Sequence, residues 1–160
     1  MDNLSFFRSC MDNEQKATIA LFNACDSKNI DYKPHEVNRS AREIIEHITT
    51  HLIDLNVILD NPICDETLSL HFNDAGDAAN QLSKQWELLL KKLENYSAEK
   101  WETENVELLV AGKSFATLPR MQMMWFFFFD IIHHRGQLSS YIRPMGGKNP
   151  AVYGYSADSK

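Results

Sequence analysis

The sequence predicts an all-α fold, an up-down four-helix bundle with long crossover connections. Three observations point there. Proline and glycine are sparse, five and six copies in 160 residues, and long stretches free of both favour helices over many short strands. Apolar residues in those stretches recur at three- and four-residue spacing. A capping box, Ser40-Ala41-Arg42-Glu43, marks one helix start without reference to hydropathy.

The first helix is expected over about Ser5–Ser27, with Leu4, Phe7, Met11, Thr18, Leu21, Phe22 and Cys25 on one face. The second begins at the capping box. Ile44, Ile45, Ile48, Leu52, Leu55, Ile58 and Leu59 form its stripe, and Asn61-Pro62 ends it. The third has an N-cap at Asn73 or Asp74 and a regular stripe from Ala75 through Leu82, Trp86 and Leu89 to Tyr96. The fourth starts after Pro119, a residue suited to a first helical turn, and runs to about Arg143, before Pro144 and Gly146-Gly147. Its middle, Met121 to Ile132, is apolar nearly all round, which suits a central helix or one shared with a second subunit. Two connections are long, Asn29–Arg39 and Ser97–Leu118. The second contains Val106-Glu107-Leu108-Leu109-Val110, which could form a short extended or hairpin element. The residues from Lys148 to Tyr155 are expected as an ordered tail over the bundle, and the 160 residues as a single domain.

Composition excludes several functions. Sixteen Lys and Arg against 22 Asp and Glu leave a net charge of −6, and no basic cluster exceeds Lys91-Lys92. Nucleic acid and anionic membrane surfaces are therefore not expected partners. Cys10, Cys25 and Cys64 are odd in number and widely spaced, unlike a disulfide framework or a cysteine zinc knuckle. The longest apolar run, Met123–Phe129, stops at Asp130, far short of the roughly 20 residues of a membrane span. The N-terminus has no secretory h-region. The chain reads as soluble and cytoplasmic.

The histidines carry the functional signal. Residues four apart on a helix share a face, and two such pairs occur, His47 with His51 and Asp130 with His134. His47 lies on the apolar side of the second helix. Asp130 is the only charge between Met121 and Ile132, and a buried carboxylate needs a cation, a metal or several donors. His47, Asp130 and His134 together make a two-imidazole, one-carboxylate metal site. Three protein ligands leave one position open, the layout of a catalytic metal. A hydrogen-bonded core histidine, and a simple Asp130–His134 pair, are the bland alternatives. His51 and Asp54 could join the site, replace His47, or act as general base. His133 faces about 100° from His134, towards a supporting or interface role, and His35 and His71 fall in loops.

The run Asp130-Ile131-Ile132-His133-His134-Arg135-Gly136-Gln137-Leu138, continuing through Arg143-Pro144-Met145-Gly146 and Pro150-Ala151-Val152-Tyr153-Gly154, resembles the DinB-like family. Tyr32-Lys33-Pro34 and the segment from Ser40 to His47 resemble its loop and second helix. The resemblance implies a damage-inducible, metal-binding four-helix bundle. The family's metal is usually held by three histidines, one on the second helix and two, four apart, on the last. Position by position these fall on His47, Asp130 and His134; Asp130 replaces one histidine, as in a branch of the family. The set leaves zinc, nickel, iron or manganese open. The resemblance also implies a metal-dependent enzyme, either a transferase that uses a low-molecular-weight thiol or a hydrolase, and otherwise a non-catalytic stress-related metal-binding or assembly protein. The motif singles out Arg135, Gly136 as a place for close helix approach, Gln137 as a group supporting His134 or orienting substrate, and Arg143 as a tail anchor. The apolar fourth helix fits a homodimer.

Overall fold

A computed structural model describes residues 1–159. Five α-helices and three short strands follow in the order α1 Asn3–Ala24, α2 Ala41–Asp60, β1 Ile63–Asp65, α3 Ala75–Glu94, α4 Ala98–Thr103, β2 Asn105–Val110, β3 Lys113–Pro119 and α5 Arg120–Ile142. The four long helices are those expected. Each of the first three opens on a side chain that takes an orphan amide: Asp2 from Ser5 N at 2.7 Å, Ser40 from Glu43 N at 3.2 Å, and Asp74 from Asp77 N at 2.8 Å. The Glu43 carboxylate returns to Ser40 N at 2.6 Å, completing the capping box.

The helices form a ring in which α1 packs on α3 and α5, and α2 packs on the same two helices from the other side. Inside it lie Phe7, Met11, Phe22, Ile44, Ile48, Leu52, Trp86 and Phe127, all without exposure. Trp86 is fixed within this core by donating Nε1–H to Met11 O at 2.9 Å. At one end Phe7 meets Trp101 and Trp125 at ring-centroid distances of 5.0 Å, and both tryptophans donate to Asn3 Oδ1 at 3.0 Å.

The expectation of an all-α fold is corrected by a three-stranded sheet of order β1-β2-β3. The β2–β3 hairpin turns at Ala111 (φ 50°) and Gly112 (φ 72°), successive positive φ values that suit the twist of a tight hairpin. The strand β1 joins β2 in parallel, Cys64 opposite Leu108, with Cys64, Val106 and Leu108 turned into the core. The sheet ties the α2–α3 connection to the segment entering α5. Arg120, buried at the start of α5, fastens that junction: it pairs with Glu104 at 2.7 Å and donates to the Ile58 carbonyl of α2.

The tail crosses the bundle as expected. Arg143 and the Asn149 amide both reach Asp158 Oδ2 at 2.8 Å. Gly147 is the close approach: a Cβ there would lie 2.2 Å from Ala24 O. At Gly136 no atom stands within 4 Å of such a Cβ, so the expected close helix contact is absent and the residue faces open space. All three cysteines are free. Among the described residues, no helix is long and apolar enough to cross a membrane.

Candidate metal centre

Two helices build the centre. One turn of α2 carries His47 and His51, and one turn of the facing α5 carries Asp130 and His134. The three imidazoles converge on one carboxylate atom. Asp130 Oδ2 lies 3.1 Å from His47 Nε2, 2.8 Å from His51 Nε2 and 3.3 Å from His134 Nε2. Donor atoms of His47, Asp130 and His134 all lie within 4.8 Å of one another, and so do those of His47, His51 and Glu66. The sequence-predicted trio is thus brought together, with His51 against it from behind.

The supporting bonds set protonation. Gln137 Oε1 stands 2.8 Å from His134 Nδ1, while Gln137 Nε2 stands 3.1 Å from His133 Nε2. An amide oxygen can only accept, so His134 Nδ1 carries a proton and Nε2 is the atom turned to the centre. Gln137, one of the predicted catalytic candidates, sits as an orienting group for this imidazole, with His133 outside it. Behind His51 lies Asp54, fully buried, its Oδ2 3.6 Å from His51 Nδ1. Both atoms lack a hydrogen-bond partner, and Asp54 Oδ1 is occupied by the Thr67 amide and hydroxyl at 3.0 and 2.8 Å. Asp54 therefore backs His51 and does not face the cleft, which puts it out of reach as a general base.

Charge follows this arrangement. Burial works against the Asp130 carboxylate, but the three imidazoles of His134, His47 and His51 around it outweigh burial and hold the group far below the usual range. His47 is lowered, chiefly by burial, against the pull of Asp130. For His51 burial also disfavours the cation, yet Asp130 and Asp54 on its two sides raise it. Burial raises Glu66.

Two clefts that share His47 and Glu66 in their linings open beside the centre. One, of about 410 Å³, is polar and lined by Arg39, Glu43, Glu46, His47, Thr50 and Glu66 among others. The second, of about 300 Å³, is apolar: Leu108 and Val110 of β2, Phe115 of β3 and Phe126 and Phe127 of α5 surround His47, His51, Glu66 and Asp130. Spacing along helices did not reveal Glu66 or Arg39, because both stand in connections; only the pairing of β1 with β2 brings Glu66 to the site. His35 and His71 are exposed and belong to neither donor group.

The chemistry of the donor set fits a divalent metal. Two imidazoles and a carboxylate, with a fixed tautomer behind His134 and a buried carboxylate behind His51, are ligands of the kind zinc, iron, nickel and manganese take.

Fold and site define a helical-bundle protein with an imidazole–carboxylate cluster open at one side. The chain belongs to the DinB family, whose sequence pattern matches residues 2–159. No match is found among curated protein sequences. Among solved structures, the chain is similar to a DinB-like protein, YjoA, from Bacillus subtilis, with a TM-score of 0.71 and 20% identity over 94% of this chain and 99% of that one. At that identity the likeness is one of fold.

Proposed function

We propose that this protein is a metal-dependent enzyme acting on a small molecule, with His47, Asp130 and His134 as the metal ligands. The observation that carries the reading is the convergence of donor atoms of His47, Asp130 and His134 within 4.8 Å of one another, with His47 and Asp130 lining an open cleft. A metal held by three protein groups keeps a position for an exogenous ligand, where it would lower the pKa of a bound thiol or water. The chain's own residues do the rest. Gln137 holds the His134 tautomer, Asp54 and His51 hold the carboxylate of Asp130, and the Phe115–Phe126–Phe127 wall keeps water from one side of the site.

Group transfer to a low-molecular-weight thiol is the first reading, since it asks for no general base beyond the ligands. Glu66 supports hydrolysis as the second. Its carboxylate lines both clefts, whereas His51 and Asp54 are buried at 5% and 0% side-chain exposure. A homodimer through the exposed aromatic edge of α5, Phe126 and Phe129, and a place in the reducing cytoplasm that suits three free cysteines, complete the proposal.

The test is elemental mass spectrometry on tag-free protein after reconstitution with zinc, nickel, manganese and iron. We expect about one metal per chain, lost in His134→Ala and Asp130→Ala. Metal-free wild-type protein after all four reconstitutions would sink the proposal. Light scattering of the same samples reads the dimer.

A further inference from the structure

We propose that Arg39 is a substrate-anchoring residue that binds a carboxylate beside the metal position, so that the site takes small apolar acids. Among the described residues, Arg8, Arg42, Arg120, Arg135 and Arg143 each pair with a carboxylate within 4.0 Å, and Arg39 pairs with none. Its guanidinium instead points into the centre, with Nη1 3.4 Å from His134 Nε2.

Three glutamates share its cleft, and none of them, Glu46 included, pairs with Arg39 within 4.0 Å. Glu43 is bound to Ser40 N at 2.6 Å and faces Lys33 at 3.6 Å. Glu66 faces His51 Nδ1 at 4.0 Å. An exposed arginine fork that meets the protein only through the 3.4 Å contact to His134 Nε2, and has no carboxylate partner among the described residues, matches a carboxylate supplied from outside. What the rest of that molecule must be follows from the second cleft. Leu108, Val110, Phe115, Phe126 and Phe127 enclose an apolar space that meets the polar one at His47 and Glu66. A molecule spanning both presents an anionic end to Arg39 and an apolar body to the phenylalanines. This inference rests on the metal reading only for where the reacting group lies; the charge selection belongs to Arg39 itself.

Phenylacetate and its uncharged isostere phenylacetamide serve as probes, titrated calorimetrically into zinc-reconstituted protein and into metal-free protein. Wild-type protein should prefer the acid by about tenfold or more, equivalent to about 1.4 kcal/mol. Arg39→Gln should abolish the preference and Arg39→Lys should restore part of it, with zinc content and Tm unchanged in both. Equal binding of the two probes by wild-type protein, or a preference that survives in Arg39→Gln, would overturn the assignment. Zinc content, measured on the same samples, reports on the metal reading independently: protein that takes no zinc yet shows the Arg39-dependent preference retains the anchor and loses the metal.

Discussion

Two neighbouring residues of α5, His134 and Arg135, enter two polar clusters of opposite character. Arg135 closes its own. Its guanidinium pairs with Glu14 of α1, donates to the Tyr153 hydroxyl of the tail, and lies over the Tyr153 ring at 5.1 Å from the centroid. Tyr153 OH donates to Glu14 Oε1 at 2.9 Å. One cation meets one anion, and the tail lies across the pair. The cluster around His134 does not close: one carboxylate oxygen faces three imidazoles, two buried polar atoms behind it lack partners, and two clefts lead in. A closed ion pair holds elements together, while an unsatisfied convergence at a cleft floor is poised to take a further ligand.

The largest expected effect breaks the closed side. Arg135→Ala leaves the partly buried Glu14 without its cation and should cost about 2–3 kcal/mol in denaturant unfolding. Metal binding per folded molecule should persist, so a variant that stays fully stable but loses metal would invert the comparison. Next comes the support of the open side. Asp54→Ala should weaken metal affinity about 10- to 100-fold in chelator competition. Ser40→Ala removes the α2 cap that precedes His47 and should cost about 1 kcal/mol, read as a lower Tm with metal content intact.

The smallest effect is a pH dependence in metal-free protein. His51 is raised in the folded state by Asp130 and Asp54 against burial. Its contribution is therefore fully present below the unfolded value of about 6.5 and is lost as pH rises through the folded value. The Tm gap between wild type and His51→Gln, measured with chelator present, should be wider at about pH 6 than at about pH 8.5. A gap that grows with pH would mean that the two flanking carboxylates do not hold the proton on this ring.

The helices were legible because their stripes are long and periodic, from Ile44 to Leu59 and from Ala75 to Tyr96. The sheet was only half legible. Val106–Val110 reads as extended, but β1 is three residues long, and its partner lies some forty positions away in the chain; no local pattern encodes such a pairing. The same physics divides the site. His47, Asp130 and His134 sit on helices, where a spacing of four fixes a shared face. Glu66 is carried by the strand pairing and Arg39 by a connection, so their arrival depends on tertiary packing. Asp54 carried the right turn spacing to His51, but spacing could not say that Thr67 would hold it on the far side of the ring.

The sheet also separates two kinds of heritable change. The donors stand on α2 and α5, whose neighbouring side chains form the buried core. Glu66, Val110 and Phe115, which face an entering molecule, stand on or beside the three strands, where exchange of a side chain costs the bundle little. The mouth of the site can therefore be reshaped by single side-chain exchanges on the strands without touching the residues that build the donor cluster.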